Sequence, residues 1–346
     1  MKQVWITGKG GSGRLQVRES PTPEPGSGQL RIRVEAAGVN FADVMMRLGL
    51  YPDAPDLPAI PGYEVAGVVD AVGAGVDGKW SGKPVVAMCR FGGYSEAVCL
   101  PHELVWERPA GVGAVTAAAM PVNYLTAWQM VRVMAPVAAG ETVLIHSAAG
   151  GVGQALLQLC MLSGARIIGT ASESKHARLR EQGVDCVLDS RRRDFAAAVR
   201  SATGGMGADV VLEPRNGPWI MESYRALAKC GRLVLYGFSD AAVGGRSGTF
   251  SALRTLAKVP WVQLNPIRLM NDNKSIAGVN LGRMWDQGAR TGAWVASILE
   301  LMAEGRIAPT IDGVHGFTDA AAAQRRLEER LNFGKVILVP ERMDRA

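Results

Sequence analysis

The sequence predicts an α/β protein, a doubly wound parallel sheet joined to a second, mostly β unit. Three observations carry that expectation. The run Val143-Leu-Ile-His-Ser-Ala-Ala-Gly-Gly-Val-Gly-Gln-Ala-Leu-Leu-Gln-Leu159 passes from an apolar strand through a turn of small residues into a helical pattern. From about Asn123 strands and helices alternate, the order expected of a parallel sheet with crossover helices. Before that point, strand-like runs separated by Gly-rich turns dominate. A chain of 346 residues exceeds a typical single core. The expected division is a β-rich unit at 1–124 and 283–346, and a doubly wound unit at 125–282.

In the first unit, Gln29-Leu-Arg-Ile-Arg-Val-Glu35 alternates, placing Leu30, Ile32 and Val34 on one face and charges on the other. Pro21, Pro23 and Pro25 make an extended approach to it. Further strand-like runs are 65–72, 84–88 and 94–100. In the second unit, a helical stretch over 124–134 leads into the strand at Val143, and 166–171 reads as the next strand. A helix over 174–182, ended by Gly183, precedes the short strand 186–188, and a helix over 194–202 precedes strand 209–212. A helix over 219–229, ended by Gly231, precedes strand 232–236, and 275–281 supplies a sixth strand. Residues 240–274 read as irregular: a lid or subunit contact, or an ordinary long connection. A helix over 294–304 and a tail strand over 335–339 return to the first unit.

The turn after Val143-Leu-Ile145 has a physical purpose. Ala148, Gly150 and Gly153 occupy the three small positions of a G-x-G-x-x-G pattern, with Ala in place of the first Gly. Missing side chains let the backbone approach a pyrophosphate, which the free N–H groups and partial positive charge of the helix start then hold. The backbone of Ala149, Gly150, Gly151 and Val152 is the expected contact. The unit is therefore expected to be of Rossmann type.

Which dinucleotide it takes is read at the end of the second strand, where NAD-preferring sites carry an acidic residue for the ribose hydroxyls. Gly169-Thr-Ala-Ser172 ends without a carboxylate. Ser172, Ser174, Lys175 and, after the third strand, Arg191 supply hydroxyls and cations suited to a 2′-phosphate, so NADPH is the expected cofactor. Glu173 is the counter-signal, expected to point outward. Plain surface charge is the alternative reading of Lys175 and Arg191.

Composition excludes several classes. With 48% hydrophobic and 20% charged residues, the chain reads as globular. Its net charge of +6 comes from scattered residues, and the one dense cluster, Arg191-Arg192-Arg193, has no interleaved aromatics, so no nucleic-acid partner is expected. Cys89, Cys99, Cys160, Cys186 and Cys230 are odd in number, far apart and without C-x-x-C spacing. That fits a reduced, cytoplasmic protein rather than disulfides or a zinc lobe. Neither a secretory leader nor a run of the roughly 20 apolar residues needed to span a bilayer is evident. His102, His146, His176 and His315 are well separated and read as surface or structural histidines.

Over essentially its whole length the chain resembles the medium-chain dehydrogenase/reductase superfamily. The resembling residues are Ala37-Gly-Val-Asn-Phe-Ala-Asp43, Ile60-Pro-Gly-Tyr-Glu64, Gly92-Gly-Tyr-Ser-Glu-Ala97, the turn at 147–153 and Phe333-Gly-Lys-Val-Ile-Leu338. Within it, the chain is similar to the zinc-independent quinone oxidoreductases, especially their vesicle amine transport protein branch. The resemblance implies a GroES-like catalytic domain beside the Rossmann-type one. Zinc alcohol dehydrogenases place a Cys ligand where this chain has Asn40 and a Gly-His-Glu motif where it has Gly62-Tyr63-Glu64; neither an amide nor a phenol is a normal zinc ligand.

The resemblance further implies that Asn40 and Tyr51 border the nicotinamide, with Thr126 near it, that Phe238 and Asn280 lie along the cofactor, and that Arg330 or Asn332 closes over it. Asn40 bracing a turn, and Tyr51 serving as a pocket wall, remain open. Met45 and Ser190 stand where some quinone reductases have Tyr. Together these readings imply hydride transfer from NADPH to a small-molecule quinone or enone, whose carbonyl takes up the charge. An enoyl-thioester reductase and a non-enzymatic NADPH-binding protein at a membrane surface or on RNA are the other readings. Strand 275–281, pairing across a two-fold axis, implies a homodimer.

Overall fold

The computed structural model describes residues 1–192, 194–237 and 265–341, and these fall into two compact units. The first takes residues 1–125 and 282–341, the second residues 126–237 and 265–281. Phe238 and most of the 240–274 connection lie outside the described residues.

The first unit is mostly β. Strands β1 (Lys2–Ile6) and β2 (Leu15–Glu19) form an antiparallel pair. Strand β3 (Gln29–Val39) is the centre of the larger sheet, pairing antiparallel with β4 (Glu64–Val72), which carries β5 (Pro84–Met88) and then β7 (Val105–Glu107); β6 (Ala97–Pro101) also pairs with β3. The alternation in β3 puts Leu30, Ile32 and Val34 in a core with Val65, Val85 and Phe317, while Arg33 stays exposed. Each such side chain contributes about 1.5–3 kcal/mol when fully buried.

A helix not anticipated from the sequence, α1 (Phe41–Leu48), follows β3. Its boundary signals are present: Asn40 is extended and donates its N–H to Asp43 Oδ2 at 2.8 Å, and Gly49 closes the helix at φ 72°. Helix α2 (Ala114–Ala118) comes next, then α3 (Pro121–Trp128), which starts three residues before the expected 124 because Pro121 is preset for a first helical position. Residues 129–134 continue it as a π-helical turn rather than an α-helix.

In the second unit β8 (Thr142–Ile145), β9 (Arg166–Ala171), β10 (Cys186–Asp189), β11 (Ala208–Glu213), β12 (Leu227–Leu235) and β13 (Ser275–Gly278) form a parallel sheet in the order β10-β9-β8-β11-β12-β13. The order reverses between β8 and β11, the place where doubly wound sheets bind ligands at the carboxyl ends of their strands. Leu144, Ile168, Val211 and Leu233 run across its centre. Helices α4 (Gly151–Leu162), α5 (His176–Glu181), α6 (Phe195–Ala202) and α7 (Trp219–Ala226) are the connections. The expected helix over 219–229 stops at Ala226. Leu227 is already extended and paired with Ala208, and 228–231 bulge out, with Cys230 at φ 62°, before Arg232 pairs with Val210. Of the expected irregular stretch, the described end forms helix Pro266–Asp272, with Asn265 Oδ1 accepting from the N–H groups of Ile267 (3.0 Å) and Arg268 (3.3 Å).

The chain then returns to the first unit. Helix Gly288–Ala303 leads to β14 (Ile311–Gly316), helix Ala320–Glu328 and β15 (Lys335–Val339). Strand β15 lies antiparallel to β3, with Val336 opposite Val39 and Leu338 opposite Ala37, and parallel to β14. Among the described residues, no helix is long and apolar enough to cross a membrane.

Candidate functional site

The turn after β8 is built as a helix-start cradle. Ser147 takes a left-handed conformation, φ 54°, and its carbonyl accepts the N–H of Gly150 at 2.9 Å; α4 begins at Gly151. Gly153 serves a need other than phosphate approach. A Cβ there would sit 2.3 Å from Ser147 O and 2.7 Å from Ala148 O, so the missing side chain lets helix and turn close on each other. The N–H groups of the first turn of α4 lie at the positive end of the helix. Ala149 to Val152 are thus in that first turn and its approach.

The other expected residues of this unit follow the ends of its strands. Ser172 follows β9, with its hydroxyl 3.4 Å from that of Ser174, and Glu173 is exposed on the short 3₁₀ turn Glu173–Lys175. Arg191 follows β10 and is largely exposed. Both its N–H (2.9 Å) and its Nε (3.4 Å) donate to Asp189 Oδ1, and the Arg191 N–H foremost holds that carboxyl below its ordinary range. Asp189, the charge Arg191 leans on, is not among the residues the sequence pattern singles out. Neither is Arg215, whose guanidinium donates to Ser190 O at 2.8 Å and stacks 3.6 Å from the Trp219 ring centroid. Asn280, exposed, follows β13. Thr126 is buried on α3.

The other group is in the first unit. Asn40 Nδ2 donates to Glu64 Oε1 at 2.8 Å and, more weakly, to Gly38 O at 3.4 Å, while its Oδ1 accepts from Lys335 Nζ at 2.6 Å. Lys335 Nζ also contacts Glu64 Oε1, and Glu64 Oε2 accepts the N–H of Val122 at 2.7 Å. Glu64 and Lys335 are almost wholly buried. Gly38 makes their meeting sterically possible: a Cβ there would lie 2.3 Å from Glu64 Oε1 and 2.7 Å from Lys335 Cε. Asp43, beneath this cluster, accepts from the N–H groups of Asn40 and Gly62, each at 2.8 Å, and from the Tyr94 hydroxyl at 2.9 Å. Burial pushes its carboxyl up to about 6, against these hydrogen bonds and the nearby Lys335.

Asn40 therefore does brace its turn, and its amide is engaged on both ends by neighbours within the unit. Tyr51 is half-buried, edge-on to Tyr63 with ring centroids 6.1 Å apart, and burial raises its phenol. Tyr63 packs on Phe91 at 5.3 Å; its hydroxyl is buried without a well-formed hydrogen bond, and its phenol is raised strongly by that burial. Tyr51 also lines a cavity of about 480 Å³ within this unit, together with Lys9, Met46, Asp56 and Leu57. Arg330, at φ 56°, and Asn332, whose Nδ2 donates to Gly334 O at 2.9 Å, lie in the turn before β15. Among the described residues, no three or more His, Cys, Asp and Glu side chains are grouped to hold a metal.

Residues 26–110 match the family described as "Alcohol dehydrogenase GroES-like domain", and residues 151–297 the one described as "Zinc-binding dehydrogenase". The chain belongs to the medium-chain dehydrogenase/reductase superfamily, a group of oxidoreductases. It is similar to the human synaptic vesicle membrane protein VAT-1 homolog, 36% identical over 340 residues, covering 97% of this chain and 85% of that protein. Two solved structures are similar throughout. A mycobacterial protein complexed with NADPH has a TM-score of 0.86 at 34% identity, covering 98% of this chain and 100% of the other. Escherichia coli quinone oxidoreductase complexed with NADPH has a TM-score of 0.85 at 26% identity, covering 98% and 100%.

Proposed function

We propose that the protein transfers a hydride from NADPH to a quinone or to the β-carbon of an α,β-unsaturated carbonyl, without zinc. The observation that carries this reading is the Lys335 ammonium seated against Asn40 Oδ1 and Glu64. Asn40 and Tyr63 stand at the positions that zinc alcohol dehydrogenases give to metal ligands. Here the amide oxygen already serves a cation, and the other group is a buried phenol whose proton is hard to remove. Such a donor set does not fit a zinc ion.

The second unit fits a dinucleotide. The Ser147 carbonyl, folded under Gly150 and Gly153, leaves a helix start open to a pyrophosphate at Ala149, Gly150, Gly151 and Val152. Ser172, Lys175 and Arg191 would hold a 2′-phosphate, and the NADPH in both solved relatives supports that preference. When bound, NADPH supplies the hydride. In this reading Asn40 and Tyr51 border the nicotinamide, Thr126 is near it, Phe238 and Asn280 lie along the cofactor, and Arg330 or Asn332 covers it. Catalysis then rests on orientation, with the final proton taken from water. We assign 1–124 and 283–346 to the catalytic domain, 125–282 to the cofactor domain, and the edge strand β13 to a homodimer contact in the cytoplasm.

Steady-state oxidation of NADPH and NADH with a panel of quinones, enals and enoyl thioesters tests this. Turnover of quinones or enals with NADPH preferred is the expected result. No turnover despite tight NADPH binding would overturn it, and a strong preference for the thioester would redirect it to an enoyl-thioester reductase.

A further inference from the structure

His146 follows β8 at the point where the strand order of the parallel sheet reverses, and it is wholly buried. Its Nδ1 is 3.2 Å from Thr170 Oγ1 on β9, and its Nε2 is 3.2 Å from Ser223 Oγ on α7. Ser223 donates its hydroxyl to Glu213 Oε2 at 2.8 Å. A hydroxyl has one proton to give, so Ser223 faces the imidazole with a lone pair, which places the ring proton on Nε2. Glu213 Oε2 lies 3.4 Å from Nε2, on the side of that ring proton. In the neutral ring Nδ1 is then an acceptor for the Thr170 hydroxyl. The same Thr170 oxygen accepts the N–H of Ser147 at 3.2 Å. Phe195 fixes the ring from the side, edge-on with centroids 5.0 Å apart.

The chain of donors thus starts at Ser147, a non-glycine residue held at φ 54°. That conformation is costly for a side-chain-bearing residue and persists where surroundings over-determine it. Here the Thr170 oxygen accepts the Ser147 N–H, while the Gly150 N–H donates to the Ser147 carbonyl at 2.9 Å. Because that carbonyl also fills the space of the missing Gly153 side chain, the attitude of Ser147 sets where α4 begins.

We propose that His146 is a positioning residue for the dinucleotide: acting through Thr170, it holds Ser147 left-handed and so keeps the N–H groups at the start of α4 aimed at the pyrophosphate. This rests on the reading of the turn as an NADPH site.

The test compares Thr170→Val, which removes the hydroxyl at nearly constant shape, with Thr170→Ser, which keeps it. NADPH binding, followed by its fluorescence, weakens about tenfold in Thr170→Val and stays within about twofold of wild type in Thr170→Ser. Adenosine 2′-monophosphate, which has no pyrophosphate, binds all three proteins alike. Equal NADPH binding by Thr170→Val, or a parallel loss of adenosine 2′-monophosphate binding, overturns the proposal. In the cofactor-free protein, imidazole ¹⁵N–¹H correlation spectra place the His146 proton on Nε2, and a proton on Nδ1 also overturns it. A wild-type protein that binds no NADPH would overturn the reading of the turn and this role with it. That failure is told apart from failure of the network by the ring proton, which is located without cofactor.

Discussion

Lys335 and Glu64, 271 residues apart, meet as a buried ion pair in the first unit, and the lysine spends a second hydrogen bond, 2.6 Å long, on Asn40 Oδ1. Neither charge has water to fall back on, so each depends on the other. Lys335→Met is expected to destabilise the protein by about 3–5 kcal/mol, because it strands a buried carboxylate. Lys335→Met combined with Glu64→Gln should cost clearly less than the sum of the two single changes. Urea unfolding of the four proteins measures this, and simple additivity would refute the coupling.

Asp43 gives the fold a pH dependence of unusual sign. Its carboxyl, near 3.8 in an ordinary setting, is pushed up to about 6 by burial. The folded protein therefore keeps a proton that the unfolded chain has released. That contribution is full below about pH 4 and is lost as pH rises through 6, a swing of about 3 kcal/mol. Asp43→Asn removes the titration. The stability difference between variant and wild type should thus change by this amount between pH 4 and pH 7, whereas parallel pH curves would contradict it.

Gly153→Ala is expected to abolish the geometry of the nucleotide turn. The new Cβ would meet two backbone oxygens, those of Ser147 and Ala148, at 2.3 and 2.7 Å, and backbone cannot swing aside as a side-chain tip can. NADPH affinity should fall by about tenfold or more while circular dichroism still reports a folded α/β protein. Unchanged affinity would mean that the turn is not the pyrophosphate site.

Tyr63→Phe is expected to be neutral to slightly stabilising, within about 1 kcal/mol, since the hydroxyl it removes is buried without a well-formed hydrogen bond. The ring contacts with Tyr51 and Phe91 are kept. A thermal melt decides it, and a loss of several degrees would show that the contact of that hydroxyl with the Tyr51 hydroxyl matters.

The parts of the fold that sequence made legible are those with a period. Leu30, Ile32 and Val34 announced the buried face of β3, and Val143 to Ile145 with the small residues after them announced β8, the turn and α4. Helix α1, at 8 residues, is too short to show a sustained period, although Asn40 and Gly49 at its ends are ordinary boundary residues. Asn40 and Tyr63 were found through the metal ligands they replace. Lys335 was not, since in Phe333-Gly-Lys-Val-Ile-Leu338 it read as the edge of a tail strand. The available signal was a lysine and a glutamate at the starts of two largely apolar strands, each in need of a partner. Arg47 left no such trace: it is fully buried, with Nε donating to Gln324 at 2.7 Å and Nη2 paired with Glu328 at 2.7 Å, partners brought near only by the return of the chain. Asp189 was readable in principle, two residues from the arginine it pairs with.

The placement of β15 beside β3 has a consequence for the order in which the molecule comes into being. A ribosome makes Asn40 and Glu64 long before Lys335, which follows every described strand of the parallel sheet. The second unit has all its described strands before the first unit receives β15. Through that interval the Glu64 carboxylate cannot be sealed from water without its counter-charge, so its surroundings close only when β15 arrives. A carboxylate translated 271 residues ahead of its counter-charge thus makes the arrival of β15 a condition for burying it.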